Sequence, residues 1–182
     1  MLRIARALLP LLLLPVLLTG CDAAEKGGTE GAAADLDDAA RAWGVAPELV
    51  YVTEVSGFTV FQESVGEYGD GEFVAAYRSE ESAARFGLFV DRRTLTAENC
   101  PEQPMVEGSD ERVSCDRDGD AWYRKTGDHH EYAVPGDDGV VVRLSADEDG
   151  VDRATLRKAA EAPHRPDGAE LGALLQTTGV DS

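Results

Sequence analysis

Three apolar runs in the second half of the chain determine its fold class: Ala121-Trp-Tyr-Arg-Lys-Thr126, His130-Glu-Tyr-Ala-Val134 and Val140-Val-Val-Arg-Leu144. Each is rich in aromatic or β-branched residues and alternates with a period of two, which is typical of β-strands. Short connections rich in Gly, Asp and Pro separate them, such as Pro135-Gly-Asp-Asp-Gly139. Parallel strands need crossovers of a dozen or more residues, so the spacing predicts an antiparallel meander.

The same alternation predicts further strands earlier in the chain. Their apolar runs are Leu49–Val55, Phe58–Phe61, Phe73–Tyr77, Phe86–Val90 and Glu111–Cys115. Gly69-Asp-Gly71 predicts a tight turn between the second and third runs, and residues 79–85 are predicted as a loop rather than a helical turn. Residues 116–120 are predicted as a β-turn.

Helical spacing predicts three helices around these strands. Residues 35–43 carry an apolar stripe with acids in the first turn, and residues 151–162 and 167–176 predict two short C-terminal helices. Asp167 and Glu170 have the spacing of a capping box at the start of the last helix.

Together these elements predict one α+β domain over residues 35–176, followed by a frayed tail at 177–182. Its sheet is expected to be mostly antiparallel and meandering, with about six to eight strands, an N-terminal helix and two short C-terminal helices. The chain has 182 residues, of which 43% are hydrophobic and 29% charged, enough for a single core.

Residues 1–20 have the organisation of a secretory signal peptide. Arg3 and Arg6 precede an apolar run from Ala7 to Leu18. This run is shorter than the roughly 20 residues that a membrane-spanning helix needs, and two prolines interrupt it. A cleaved leader is therefore expected rather than a transmembrane anchor.

The leader ends in Leu18-Thr-Gly-Cys21, which resembles the lipobox of bacterial lipoproteins. The resemblance implies that Cys21 is acylated and becomes the first residue of the mature chain, so that acyl chains hold the protein at the outer face of the cytoplasmic membrane. Residues 22–34 contain no large apolar side chain, and we expect them to form a flexible tether.

The other two cysteines, Cys100 and Cys115, remain as a pair once Cys21 carries the lipid. In an oxidising compartment such a pair is expected to form a disulfide. A metal site that includes these thiols is the alternative, although the chain has no Cys-x-x-Cys spacing.

The charge balance excludes nucleic acid as a partner, because 17 basic residues face 35 acidic ones and the formal net charge is −18. Arg3 and Arg6 lie in the leader, so the mature chain is more acidic still. Such a surface favours solubility.

Five residues of the meander are the best candidates for a recognition surface: Trp122, Tyr123, Arg124, His130 and Tyr132. Aromatic and Arg side chains dominate contact energies in many interfaces. The alternative is that these alternating aromatics belong to the core or to cross-strand pairs.

Motifs for catalysis or metal binding are not found in the sequence. Asp116-Arg-Asp-Gly-Asp120 begins like a calcium loop, but Ala121 and Gly127 stand where an EF-hand needs Gly and Glu. Adjacent His129 and His130 would point to opposite faces of a strand. We therefore predict no catalytic residue, no metal and no cofactor.

Several features together resemble the small uncharacterised membrane lipoproteins of high-GC Gram-positive bacteria. They are the Ala and Gly tether, the two paired cysteines and the segments Cys115–Tyr123, His130–Ala133 and Val151–Arg157. The resemblance implies no activity and no active-site pattern.

The function expected from the sequence is that of a non-catalytic, lipid-anchored extracytoplasmic domain that binds a protein or another envelope component. The alternative is a lipoprotein that binds a small ligand or a cation and serves a transporter or sensor. A hydrolase is a third and weaker expectation, because no constellation of catalytic residues supports it.

Overall fold

The computed structural model describes residues 24–105 and 112–175, with side chains from residue 31 onward in the first range. The predicted leader 1–20, the predicted lipidation site Cys21 and the predicted tail 177–182 lie outside the described residues. Within these ranges no helix combines the length and the apolar character that crossing a membrane requires.

The sheet has seven antiparallel strands in the order β1-β2-β3-β7-β6-β5-β4. It consists of two meanders, β1 to β3 and β4 to β7, joined where β3 pairs with β7. The strands are β1 Phe58–Tyr68, β2 Glu72–Ser79, β3 Arg85–Arg92, β4 Ser114–Asp118, β5 Ala121–Thr126, β6 His129–Pro135 and β7 Val140–Asp147.

Three helices pack on one face of the sheet, which we call the helix face. They are α1 Ala24–Trp43, α2 Arg153–Glu161 and α3 Gly168–Leu175. Helix α2 contacts β6 and β7, whereas α1 and α3 contact β1 and each other. The main core lies between the two layers and includes Phe73, Leu88, Leu144 and Leu156. The predicted α+β class, sheet type and helix order are confirmed.

Helix α1 begins at Ala24, where the sequence predicts a flexible tether through residue 34. These residues have no large apolar side chain with which to bury a face, but alanine has the highest intrinsic helix propensity and Ala32–Ala34 lead directly into the predicted helix. Gly44 then ends the helix with φ of +79°, a conformation that favours glycine.

The predicted strand Leu49–Val55 is wrong. Its first residue belongs to a short 3₁₀ turn, Pro47–Leu49. Val52 forms an isolated antiparallel bridge in which its N–H and C=O each bond to the backbone of His164 at 2.9 Å. Backbone hydrogen bonds thus join this segment to the α2–α3 connection. The segment does not become a strand of the sheet, although its sequence alternates like one.

Several strands extend past their predicted bounds, and β1 and β4 show the most informative differences. Strand β1 continues seven residues past Phe61 to Tyr68, through a bulge in its pairing with β2 between Phe61 and Gly66. At the bulge the Ser64 hydroxyl accepts from the Ala76 N–H at 2.7 Å and donates to the Phe61 carbonyl at 2.6 Å. Strand β4 extends to Asp118, into the segment predicted as a turn.

The other face of the sheet, which we call the second face, is half covered. Residues 93–104, the covering segment, pack over its β4 to β7 half, and the predicted Cys100–Cys115 disulfide, which is present, joins this segment to β4. Beneath it lies a small core of Cys100, Trp122, Ala133 and Val141. The half formed by β1 to β3 has no such cover among the described residues.

Candidate functional site

The five residues predicted as a recognition surface do not form one. All are buried: Trp122, Tyr123, Arg124, His130 and Tyr132 are between 0% and 7% exposed. They also lie on opposite sides of the sheet, because alternate residues of β5 face opposite ways. The prediction of a recognition surface is wrong, and the alternative of core and cross-strand packing is correct.

On the helix face, Tyr123, His130 and Tyr132 form a polar cluster that fastens the β7–α2 connection. The His130 Nε2 donates to the Val151 carbonyl at 2.8 Å, so Nδ1 accepts from the Tyr123 hydroxyl at 3.2 Å. Burial lowers the pKa of His130, which favours this neutral form. The cluster thus holds the start of α2 against the sheet.

Tyr132 continues the same cluster toward α2. Its hydroxyl donates to Asp118 at 2.6 Å, and Arg153 lies 3.0 Å from the same carboxylate. The hydrogen bond from Tyr132 and the Arg153 guanidinium hold the pKa of Asp118 below its usual value. These contacts join the end of β4 to α2.

On the second face, Arg124 and Trp122 lie beneath the covering segment. Arg124 pairs with Glu131 at 2.6 Å, and both side chains are fully buried. Its guanidinium also donates to the carbonyls of Cys100 and Gln103. A buried charge needs such partners, so these two predicted site residues are structural supports of the covering segment.

A groove lies elsewhere, between β1, α3 and the segment before β1. We call it the β1-edge groove, and its volume is about 690 Å³. Its apolar lining consists of Val52, Val55, Phe58, Val60, Ala173 and Leu174. Its size falls within the range of ligand-binding sites, roughly 300–1,000 Å³.

The groove follows the edge of β1 and not one of its faces. Phe58, Thr59 and Val60 all line it, although neighbouring residues of a strand point to opposite faces. In the described part of the chain β1 has a strand neighbour, β2, on one side only. The groove therefore gives access to an unpaired strand edge.

Polar groups fix the two walls of the groove. The Thr53 hydroxyl donates to the Ala159 carbonyl at 2.6 Å, and the Thr53 N–H donates to the Tyr77 hydroxyl at 3.1 Å. Burial raises the pKa of Tyr77 to about 12, so this hydroxyl stays protonated. These bonds attach the segment before β1 to β2 and α2.

Helix α3 is fixed at its N-terminus by the predicted capping box, which is confirmed. The Asp167 N–H donates to Glu170 Oε2 at 2.8 Å, and the Glu170 N–H donates to Asp167 Oδ1 at 2.9 Å. Glu170 Oε1 lies 2.7 Å from His164 Nε2, and His164 Nδ1 donates to the Ala162 carbonyl at 2.8 Å. Both interactions raise the pKa of His164.

The charge of the groove is negative. Glu54 and Glu170 line it, and no Lys or Arg does so among the residues that the structure describes. Glu54 is exposed, whereas His164 partly neutralises Glu170.

In the same described ranges, no group of three or more His, Cys, Asp or Glu side chains is arranged to hold a metal ion.

The sequence did not identify the groove because its walls depend on tertiary structure. The sequence predicts residues 52–55 as part of a strand, and Thr53 gives no signal of its own. Glu170 was recognised only as part of a helix cap.

Comparison of the chain with family models, with curated proteins and with solved structures found no match to any of them.

Proposed function

We propose that this protein is a lipid-anchored, extracytoplasmic binding domain that captures an extended, basic segment of an envelope protein in the β1-edge groove. The observation that carries the proposal is a groove of about 690 Å³ running along an unpaired strand edge. An extended peptide can add to such an edge through main-chain hydrogen bonds, while side pockets select its side chains.

The apolar lining supports the selection of a segment with alternating apolar side chains. Val55, Phe58 and Val60 are partly exposed in the groove and are available to pack against every second side chain of an added strand. Burial of these contacts from water would supply most of the binding energy.

The carboxylates support a basic partner. Glu54 and Glu170 stand at the groove with no described Lys or Arg beside them, and the whole chain carries a formal net charge of −18. Complementary charge speeds association and suppresses acidic competitors. The partner is therefore expected to place Lys or Arg opposite Glu54, because His164 and the Asp167 N–H already bond to the two oxygens of Glu170.

The lipobox-like segment around Cys21 supports the proposed location at the outer face of the cytoplasmic membrane. Two or three acyl chains bind a bilayer firmly, at about 0.8 kcal/mol per buried CH₂ group. A groove held near the membrane would encounter the exposed segments of neighbouring envelope proteins.

Peptide binding to the full chain in phosphatidylcholine nanodiscs tests the groove. The fluorescence anisotropy of a short, labelled peptide of alternating Lys and Val should rise to a plateau as the protein is added. The anisotropy of a Glu-Val peptide of the same length should not change. Ala173→Trp should abolish binding because it fills the groove. Ala169→Trp, on the same helix and also exposed but outside the groove, is the matched control and should bind normally.

The proposal fails if the Lys-Val peptide does not bind, or if the two tryptophan variants bind it equally well. Equal binding of the Glu-Val peptide would contradict the charge argument. Circular dichroism of both variants checks that α3 and the sheet are intact.

A further inference from the structure

The open half of the second face contains a trough with a floor of small side chains. Phe61, Ala76, Gly87 and Ser145 are consecutive partners in one row across β1, β2, β3 and β7. The last three members of this row, Ala76, Gly87 and Ser145, have small side chains, so they leave a depression between the larger side chains around them. The resulting trough has a volume of about 440 Å³.

Aromatic rings form one wall of the trough. Tyr68 is 42% exposed, and its ring meets Phe89 edge-on with centroids 5.3 Å apart. The Phe89 ring lies back over Gly87, where a Cβ atom would be 2.4 Å from it. Gly87 is thus required for the position of this wall.

The floor of the trough holds an unsatisfied hydroxyl. Ser145 is 2% exposed, and its Oγ has no hydrogen-bond partner among the described residues. Ser64, which also lines the trough, differs because its hydroxyl already bonds to two backbone groups of the β1 bulge. A buried hydroxyl without a partner is unfavourable, and a ligand hydroxyl in the trough would satisfy it.

The charged groups of the trough balance each other. Arg85 and Asp147 both line it and are both exposed, so neither anions nor cations are favoured overall. Asp147 also pairs with His129 at 2.7 Å. The trough therefore suits a neutral ligand that offers hydroxyl groups to Ser145, Arg85 and Asp147.

We propose that this trough binds a neutral sugar ring of a glycan. A sugar ring has an apolar C–H face, which can pack on the exposed ring of Tyr68, and a rim of hydroxyls, which can bond to Ser145 and to the charged pair. This site lies on the second face, apart from the β1-edge groove, and does not depend on the function proposed for that groove.

Calorimetric titration of the full chain in phosphatidylcholine nanodiscs, with maltose, cellobiose, trehalose and N,N′-diacetylchitobiose as probes, tests the site. At least one of these sugars should bind saturably. Ser145→Ala should weaken that binding about two- to tenfold, the effect of one neutral hydrogen bond. Tyr68→Ala should weaken it further. Ser114→Ala, an exposed serine of β4 outside the trough, is the matched control and should bind as the wild type does.

The proposal is overturned if none of the four sugars binds, or if Ser145→Ala and Ser114→Ala bind equally well. Tighter binding of glucuronate or glucosamine than of glucose would contradict the inference of a neutral ligand. Because Ser145→Ala and Tyr68→Ala each remove atoms without adding any, a matching circular dichroism spectrum is expected for both.

Discussion

His164 connects the segment before β1, the end of α2 and helix α3, and the first and last of these line the β1-edge groove. Its backbone bonds to Val52 and its imidazole donates to the carbonyl of Ala162 and to the carboxylate of Glu170. Both ring nitrogens are donors only in the imidazolium form. The protonated form of this side chain therefore holds the groove walls together best.

A pH dependence of stability follows from this side chain. The bond to Ala162 and the Glu170 carboxylate raise the folded-state pKa of His164 above 6.5, with Glu54 contributing at longer range. Its stabilising contribution is then complete below pH 6.5 and is lost as the pH rises through the folded-state pKa. His164→Gln should lower the free energy of unfolding at pH 5.5 and have a smaller effect at pH 8.5.

Urea denaturation of the wild type and His164→Gln across this pH range measures the difference. Burial lowers the pKa of His130, so this residue makes the protein less stable at low pH. The wild type and the variant share this effect, and it cancels when the two proteins are compared at the same pH. A difference that is constant with pH, or that grows toward pH 8.5, would contradict the role given to His164.

Individual side-chain roles were partly predictable from the sequence. Alternation along β5 and β6 is enough to place Trp122 and Arg124 on one face of their strand, and His130 and Tyr132 on one face of theirs, and the structure agrees. That the two pairs lie on opposite faces of the sheet is seen only in the structure. What alternation cannot show is that both faces are covered. The burial of Arg124 depends on a segment more than twenty residues earlier in the chain, whose conformation has no periodic signal.

At the scale of elements, the covering segment is the most informative part of the fold. It has no strand and only one short 3₁₀ turn, Cys100–Glu102. Asn99 organises it locally by accepting from the Thr96 N–H at 2.7 Å and donating to the Thr94 carbonyl at 2.9 Å. The disulfide and Arg124 then fix it to the sheet.

Loss of the disulfide should therefore loosen this segment and lower stability. The cysteines are 15 residues apart, and a loop of that length corresponds to about 3 kcal/mol of stabilisation in the chain-entropy model. The double variant Cys100→Ser, Cys115→Ser should lose roughly this amount in urea denaturation. Amide exchange should accelerate in residues 93–104 and remain slow in β7.

The reduced wild-type protein is the control for this variant and should show the same loss. Unchanged stability of the double variant, or exchange that accelerates equally across the sheet, would show that the bridge does not fix the covering segment.

Local signals were enough to predict α3, but they were not enough for the segment Leu49–Val55. The helix α3 has its own capping box and its bounds differ from the prediction by one residue at each end. Leu49–Val55 has a strand-like sequence, but its hydrogen-bonding partner is His164, far along the chain. A sequence pattern shows what a segment can form, whereas pairing decides what it does form.

At the scale of the whole molecule, membrane attachment through Cys21 remains a prediction with a direct test. Cys21→Ser should move the protein from the membrane fraction to the soluble fraction, because the acyl chains would be absent. Cys100→Ser is the matched control and should stay with the membrane. Fractionation after a high-salt wash, followed by immunoblotting, measures both.

Retention of Cys21→Ser on washed membranes would contradict acyl anchoring. It would also require a different basis for the proposed location, since the described helices include none able to span a bilayer.

The early start of α1 changes how the domain would be presented. The helix has 20 residues, and at 1.5 Å per residue it is about 30 Å long. If Cys21 carries the acyl chains, only two residues would separate it from the start of α1. The later turns of this helix pack on β1 and α3. The domain would stay within a narrow range of distances from the bilayer, and its partners would be those that reach the same layer.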